Sequence, residues 1–185
     1  MKATKLYLSR AMEVALPALA TAAILKGLIL LIVTAHTTLH IEHTLARLDG
    51  PEPSMATARA LMRQAFHFSY PKGKHEEGAR LPADPTVTEA TRSGDCKDRA
   101  WWLASRLNNS DLIFAAGKYS ATDSESHAWL FWKKDGQLWI LDPIYFTAPV
   151  RASRLRPAHY IVDKLYTKYG TFGADGSYHA VTDLL

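Results

Sequence analysis

The sequence contains a single cysteine, Cys96, among its 185 residues. One cysteine excludes an intramolecular disulfide framework and any metal or iron–sulfur site built mainly from cysteine. No stretch interleaves basic with aromatic residues, and the net charge is only +4, so nucleic acid is not an expected partner. The chain has no internal repeat and no low-complexity run. What remains is a folded chain whose lone thiol is either a small buried hydrophobe or a nucleophile.

Charge is also scarce near the N-terminus, where residues 14–35 carry only Lys26. A helix of that length would extend about 33 Å, enough to cross a bilayer. A central lysine costs about 2.5–3.5 kcal/mol on insertion, and each Leu, Ile or Val returns about 0.3–0.6 kcal/mol. The eleven such residues in the stretch therefore favour insertion narrowly. Two alternatives are a cleaved signal peptide with Gly27–Thr34 as its apolar core and a soluble helical hairpin.

Basic residues indicate the orientation of such an anchor. Lys2, Lys5, Arg10 and Lys26 precede or enter the span, and only Arg47 follows it closely. The positive-inside rule then places the N-terminus in the cytoplasm and the remainder of the chain outside it.

Three histidines follow the apolar stretch at helical spacing: His36, His40 and His43. They share one helical face, but a single straight helix rarely offers three ligands in tetrahedral geometry. We therefore expect a polar juxtamembrane face and no metal site there.

A break rich in turn residues at 49–53 separates two predicted regions. Residues 1–49 are expected to form the membrane-anchor or signal region, and residues 50–185 the folded domain. In that domain the pattern predicts a helix after Ser54, a long loop over 70–94, a helix over 98–107, strands over 112–116, 127–132 and 138–141, and a last helix over 157–168.

Three short segments of this domain carry chemistry. Cys96 stands before the predicted helix, where the helix dipole and unpaired N–H groups favour a thiolate. His127 begins one strand and could act as a general base. Asp142 ends the partner strand across a turn at Asp135–Gly136, so the hairpin register makes it a neighbour of His127 that could orient the imidazole.

The same segments carry a resemblance. They read Gly-Asp-Cys-Lys-Asp at 94–98, Ser-His-Ala-Trp at 126–129 and Trp-Ile-Leu-Asp-Pro at 139–143. In this order they resemble the transglutaminase-like superfamily and are most similar to the bacterial transglutaminase-like cysteine proteases. The likeness covers roughly Met55 to Pro143.

The resemblance implies an α+β, papain-like fold in which a helix carrying the nucleophile packs on an antiparallel sheet. It implies that Cys96 is the nucleophile, His127 the base and Asp142 the orienting carboxylate. The Cys96 backbone N–H would hold part of the oxyanion, and Gln64 is a candidate second donor.

Some proteases of this type bind calcium through acidic residues around the cysteine. Here Asp95 and Asp98 are acidic but Lys97 stands between them, and so few carboxylates make a weak calcium site. We expect no cofactor and no metal.

Each site residue also has an ordinary structural interpretation. Cys96 could be a buried small side chain, His127 a core histidine paired with Asp142 for structure alone, and Asp142 a turn residue before Pro143.

The predicted function is a thiol hydrolase, a cysteine peptidase acting on a peptide or protein. The chain is expected in the bacterial inner membrane, single-pass, with a periplasmic catalytic domain. The alternatives are a transamidase or acyltransferase, which resolves the same acyl-enzyme with an amine, and a non-catalytic membrane-tethered binding module.

Overall fold

The computed structural model describes residues 23–29, 31–32, 35–71, 81–156 and 158–180. The chain divides into two compact units, Met1–Thr37 and Thr38–Leu185. In the first unit the described residues are helical, and large apolar side chains such as Ile24 and Leu31 are exposed. No helix among the described residues is long and apolar enough to cross a bilayer. The predicted span over 14–35 falls partly outside those residues.

The second unit holds four helices and seven strands among its described residues. The part of helix α1 that belongs to this unit covers residues 38–45. The other helices are α2 (Met55–Phe66), α3 (Pro85–Thr91) and α4 (Cys96–Leu107), and a short 3₁₀ helix covers Ala152–Arg154. The strands are β1 (Leu112–Ser120), β2 (His127–Lys134), β3 (Gln137–Leu141), β4 (Val150–Arg151), β5 (His159–Thr167), β6 (Gly170–Gly173) and β7 (Tyr178–Ala180).

The strands form one antiparallel sheet in the order β4-β3-β2-β1-β5-β6-β7. Alternate residues of β2 point to opposite faces, as the pleat requires. Leu130 and Trp132 join a core with residues of α1, α2 and α4, while Trp129 joins a smaller cluster on the other face with Ile140 and Tyr160. The predicted combination of a helical layer with an antiparallel sheet is confirmed.

Local signals fix where the elements begin and turn. The Ser54 side chain accepts from the Thr57 N–H and so caps α2. Between β2 and β3, Asp135 and Gly136 both have positive φ, at 50° and 69°. Positive φ at both central residues defines the type I′ hairpin turn, which sets the register of β2 against β3.

Residues before the predicted boundary at residue 49 also belong to the hydrophobic core. Ile41, Leu45 and Leu48 are buried in the same cluster as the α4 tryptophans. Helix α1 therefore packs as part of the second unit.

The prediction of a last helix over 157–168 is wrong, because His159–Thr167 form strand β5. It pairs with β1 on one side and β6 on the other. Burial alternates along its first half, with Tyr160 buried and Ile161 exposed, which is the strand period. The backbone pairing available between two strands outweighs the helical spacing of the apolar residues.

Part of the predicted loop over 70–94 is helical. Asp84 caps α3 by accepting from the Thr86 N–H, and Pro85 occupies the first helical position, where proline is favoured. Residues 72–80 lie outside the described residues.

Candidate active site

Cys96 is the first residue of α4, and a capping box holds this helix start in place. The Asp95 side chain accepts from the Asp98 N–H, and the Asp98 side chain accepts from the Asp95 N–H, each at 3.2 Å. Gly94 precedes the box because a Cβ there would lie 2.8 Å from the Asp98 Cβ. The N–H groups of the first helical turn have no acceptor within the helix, so the Cys96 side chain lies at a terminus rich in donors.

Arg99 ties this helix start to the end of α2. Its Nε donates to the Gly94 carbonyl at 2.8 Å, and its Nη2 donates to the Phe68 carbonyl at 2.6 Å. Its Nη1 donates to the carbonyls of Ala65 and Phe66, both at 3.3 Å. The side chain is buried, so these carbonyls replace its water shell. The sequence pattern gave no sign of this role, since one arginine in a helix is ordinarily read as a surface residue.

His127 and Asp142 meet across the β2–β3 hairpin. The His127 Nε2 lies 2.7 Å from the Asp142 Oδ2. Leu130 pairs with Leu141, so the two residues are diagonal rather than directly opposite, a separation that long side chains can span. Both side chains are buried, Asp142 completely.

The Asp142 carboxylate accepts three hydrogen bonds. Besides His127, the Tyr160 hydroxyl donates to Oδ2 at 2.8 Å, and the Ile144 N–H donates to Oδ1 at 2.9 Å. A buried carboxylate needs such donors to remain charged. Tyr160 is not among the predicted site residues, because the apolar spacing of its segment predicts a helix.

Cys96 lines the same cavity as His127, and it is close enough to help raise the pKa of the imidazole. Because Nε2 faces Asp142, the other ring nitrogen, Nδ1, is the one open to a thiol or a substrate group. The structure thus brings the three predicted site residues into one region: His127 contacts Asp142 and shares a cavity wall with Cys96.

Charge and burial shift the pKa of His127 in opposite directions. Burial by itself would lower its pKa, but the hydrogen bonds and charges of Asp142 and Cys96 outweigh that effect and raise the pKa from 6.5 to about 9. An imidazole with that pKa is protonated at neutral pH. The arrangement therefore favours an imidazolium beside a sulfur that can carry negative charge.

A cavity of about 480 Å³ opens beside these groups. It is lined by Tyr70, Cys96, Tyr119, Thr122, Asp123, Ser124, Glu125, Ser126, His127, Ile144 and Tyr145. The lining includes two carboxylates, while no Lys or Arg of the described chain belongs to it. Gln64, the candidate second oxyanion donor, lies on α2 and is not among the lining residues.

Tyr70 brings a hydroxyl to the same cavity. Burial, followed by the negative charges of Cys96, Asp95 and Glu125, raises its pKa to about 12. A phenol with that pKa keeps its proton at neutral pH and remains a hydrogen-bond donor. Neither periodicity nor motif spacing marked Tyr70 in the sequence.

The acidic residues around Cys96 do not fit a calcium ion. Asp95 uses one carboxylate oxygen for the Asp98 N–H and the other for the Lys97 ammonium. Asp98 uses its oxygens for the N–H groups of Ala83 and Asp95. Calcium takes about six to eight oxygen ligands, and these four oxygens are already engaged. Within the described part of the chain, no group of three or more His, Cys, Asp and Glu could hold a metal ion.

No protein-family model matches the chain, and no curated protein sequence matches it. Among solved structures, the chain is similar to calcium-bound LapG of Legionella pneumophila, at 17% identity and a TM-score of 0.53 over 76% of this chain and 78% of LapG. It is also similar to EGTA-treated LapG, at 18% identity and a TM-score of 0.54 over 78% and 79% of the two chains. At this identity the likeness shows the fold alone, so the chain shares the fold of LapG.

Proposed function

We propose that the chain is a thiol hydrolase, a cysteine peptidase in which Cys96, His127 and Asp142 act as a catalytic triad. The observation that supports this most strongly is the His127–Asp142 hydrogen bond beside a cavity whose wall His127 shares with Cys96. A histidine retained only for structure would not need to share the wall of a cavity with the lone thiol.

The reaction follows from the positions of these groups. The Cys96 sulfur attacks the substrate carbonyl carbon, and the imidazolium of His127 gives its proton to the leaving amine. The C–N bond breaks and a thioester remains on Cys96. His127, now neutral, takes a proton from water, the resulting hydroxide attacks the thioester, and the acid product leaves as the sulfur is restored.

The Cys96 N–H and the Tyr70 hydroxyl are the proposed donors to the oxyanion. The first is a free donor of the α4 terminus by its position. The second lines the cavity and stays protonated at neutral pH. Together they replace the prediction of Gln64 as the second donor.

The cavity wall suggests which substrates enter. Asp123 and Glu125 contribute negative charge, and the rings of Tyr119 and Tyr145 pack at an interplanar angle of 31° with centroids 4.0 Å apart. Carboxylates beside aromatic faces favour cationic groups. We therefore expect peptides with Lys or Arg near the scissile bond to be preferred.

Attachment to a membrane through the N-terminal segment is part of this proposal. The basic residues before the apolar stretch support an extracytoplasmic domain. The full chain should stay with membranes after carbonate washing, and external protease should reach the domain. A full-length chain found entirely in the soluble fraction would contradict the attachment.

The activity is tested with a proteome-derived peptide library, assayed with and without a primary amine. A peptidase produces new N-termini whose yield barely depends on the amine, and the Cys96→Ala variant produces none. Amine-coupled products without new N-termini would show a transamidase instead. Equal function in the Cys96→Ala variant would identify a binding module.

A further inference from the structure

Tyr160 contacts the His127–Asp142 pair but does not itself line the cavity. Its hydroxyl donates to the Asp142 Oδ2, the same oxygen that is hydrogen-bonded to the His127 Nε2. We propose that Tyr160 is a positioning residue: its hydroxyl fixes the carboxylate of Asp142 and, through it, the ring of His127. This inference rests on the proposed triad.

The backbone of Tyr160 shows what this contact requires. Its φ is +60°, in the left-handed region that bulky residues rarely adopt. Such strain persists only where the surroundings determine the conformation, and it is enriched at active sites. A tyrosine held there at the start of β5, with its hydroxyl on a buried carboxylate, is consistent with a residue placed for that contact.

Packing against neighbouring aromatic rings fixes the position of the Tyr160 ring. The Tyr160 ring meets the rings of Trp129 and Tyr119 edge-on, with centroids 5.1 Å and 5.3 Å away. The side chain is 8% exposed. The hydroxyl therefore cannot swing away to solvent, and it reaches Asp142 from a fixed direction.

Two donors on one oxygen restrict the carboxylate. The Asp142 Oδ2 is hydrogen-bonded to the His127 Nε2 and accepts from the Tyr160 hydroxyl, while Oδ1 accepts from the Ile144 N–H. Without the Tyr160 hydroxyl, the Asp142 carboxylate can rotate about χ2. The His127 imidazole is then no longer held in its orientation toward Cys96. The hydroxyl dipole also offsets part of the negative charge that His127 experiences, so its removal makes the imidazolium more favoured.

Other titratable groups also face His127. They are Cys96 from α4, Tyr119 from β1, Asp142 and Tyr145 from the segment after β3, and Tyr160 from β5, with Asp123 and Glu125 lining the same cavity. Only the Tyr160 hydroxyl is changed in the test below, so a shift in the titration of His127 reports this contact.

The test compares Tyr160→Phe with Tyr166→Phe, a control of similar burial that contacts Thr38 on the opposite side of the sheet. The readout is the rate of Cys96 alkylation by iodoacetamide as a function of pH. A thiolate paired with an imidazolium gains reactivity when the imidazolium loses its proton, so the profile has a step at the pKa of His127. This readout needs no substrate, so it remains valid even if the chain does not hydrolyse peptides.

Tyr160→Phe should move the step upward by about half a pH unit or more, and should lower kcat about tenfold with little change in KM. Tyr166→Phe should leave the step in place. In an Asp142→Asn background, Tyr160→Phe should move the step no further. A step that Tyr160→Phe leaves unchanged, or moves equally with and without Asp142, would overturn the inference.

Discussion

Replacing Asp142 by Asn removes one charge from a fully buried position and tests how that charge sets the behaviour of His127. The rise in the pKa of His127 from 6.5 to about 9 corresponds to a preference for the imidazolium of about 3 kcal/mol, at 1.36 kcal/mol per pKa unit. Burial opposes this preference, so the hydrogen bonds and charges of Asp142 and Cys96 together supply more than the net amount.

Asparagine cannot reproduce the contacts of this carboxylate. Both oxygens accept from donors, Oδ2 from His127 and Tyr160 and Oδ1 from the Ile144 N–H. In either orientation the Asn NH₂ group would point at a donor. We expect the Asp142→Asn variant to lose about 1–3 kcal/mol in the free energy of unfolding and about 10²- to 10⁴-fold in kcat.

The assay is the pH dependence of Cys96 alkylation, followed by intact-protein mass spectrometry. The wild-type profile should have a step near the pKa of His127, about 9, and Asp142→Asn should move this step down toward the ordinary value. Thermal unfolding checks that the variant remains folded at the assay temperature. A folded Asp142→Asn variant whose step stays where the wild type has it would refute the assignment of Asp142 as the charge that favours the imidazolium.

Four further outcomes are expected. The raised pKa of His127 stabilises the folded state fully below pH 6.5, and this stabilisation is lost as the pH rises through about 9. The free energy of unfolding measured in urea should therefore fall over that window. The His127→Gln variant should show a flatter dependence on pH. Tyr70→Phe should lower kcat about 10- to 100-fold with little change in KM, because it removes the proposed oxyanion donor; an unchanged kcat would exclude that role. Arg99→Met should lower the free energy of unfolding by about 3–5 kcal/mol, measured by urea titration, because it leaves buried carbonyls without a donor; a loss below about 1 kcal/mol would contradict the described contacts. Glu125→Gln should raise KM roughly two- to fivefold for lysine-containing peptides and not for neutral ones, while the remote Asp135→Asn should change neither.

The sequence predicted those parts of the site that local chemistry determines. Asp135–Gly136 specifies a tight turn, and that turn sets the register that brings His127 near Asp142. Cys96 follows a capping aspartate, so its place at a helix start could be read from a few neighbouring residues. These features depend on residues close in sequence, and they are where prediction and structure agree.

Residues that act across long sequence separations could not be predicted in this way. Tyr160 reaches Asp142 only because β5 pairs with β1, and the apolar spacing of its segment also fits a helix. Arg99 bonds carbonyls more than thirty positions earlier in the chain. Gly117 allows the close approach of β5, since a Cβ there would lie 2.0 Å from the Ile161 carbonyl oxygen. Each of these contacts depends on which distant strand or helix packs against the residue, and the spacing of apolar residues along the sequence does not predict that packing.

The central claim, covalent catalysis by Cys96, is tested most directly by trapping the acyl-enzyme. Wild-type protein is mixed with a lysine-containing peptide ester, quenched in acid at short times and measured by intact-protein and peptide mass spectrometry. The account predicts an acyl adduct on Cys96 that appears before the acid product and decays in water, and a long-lived adduct in His127→Ala if acylation occurs there at all. Product formation at the wild-type rate in Cys96→Ala, or an adduct located on another residue, would contradict it.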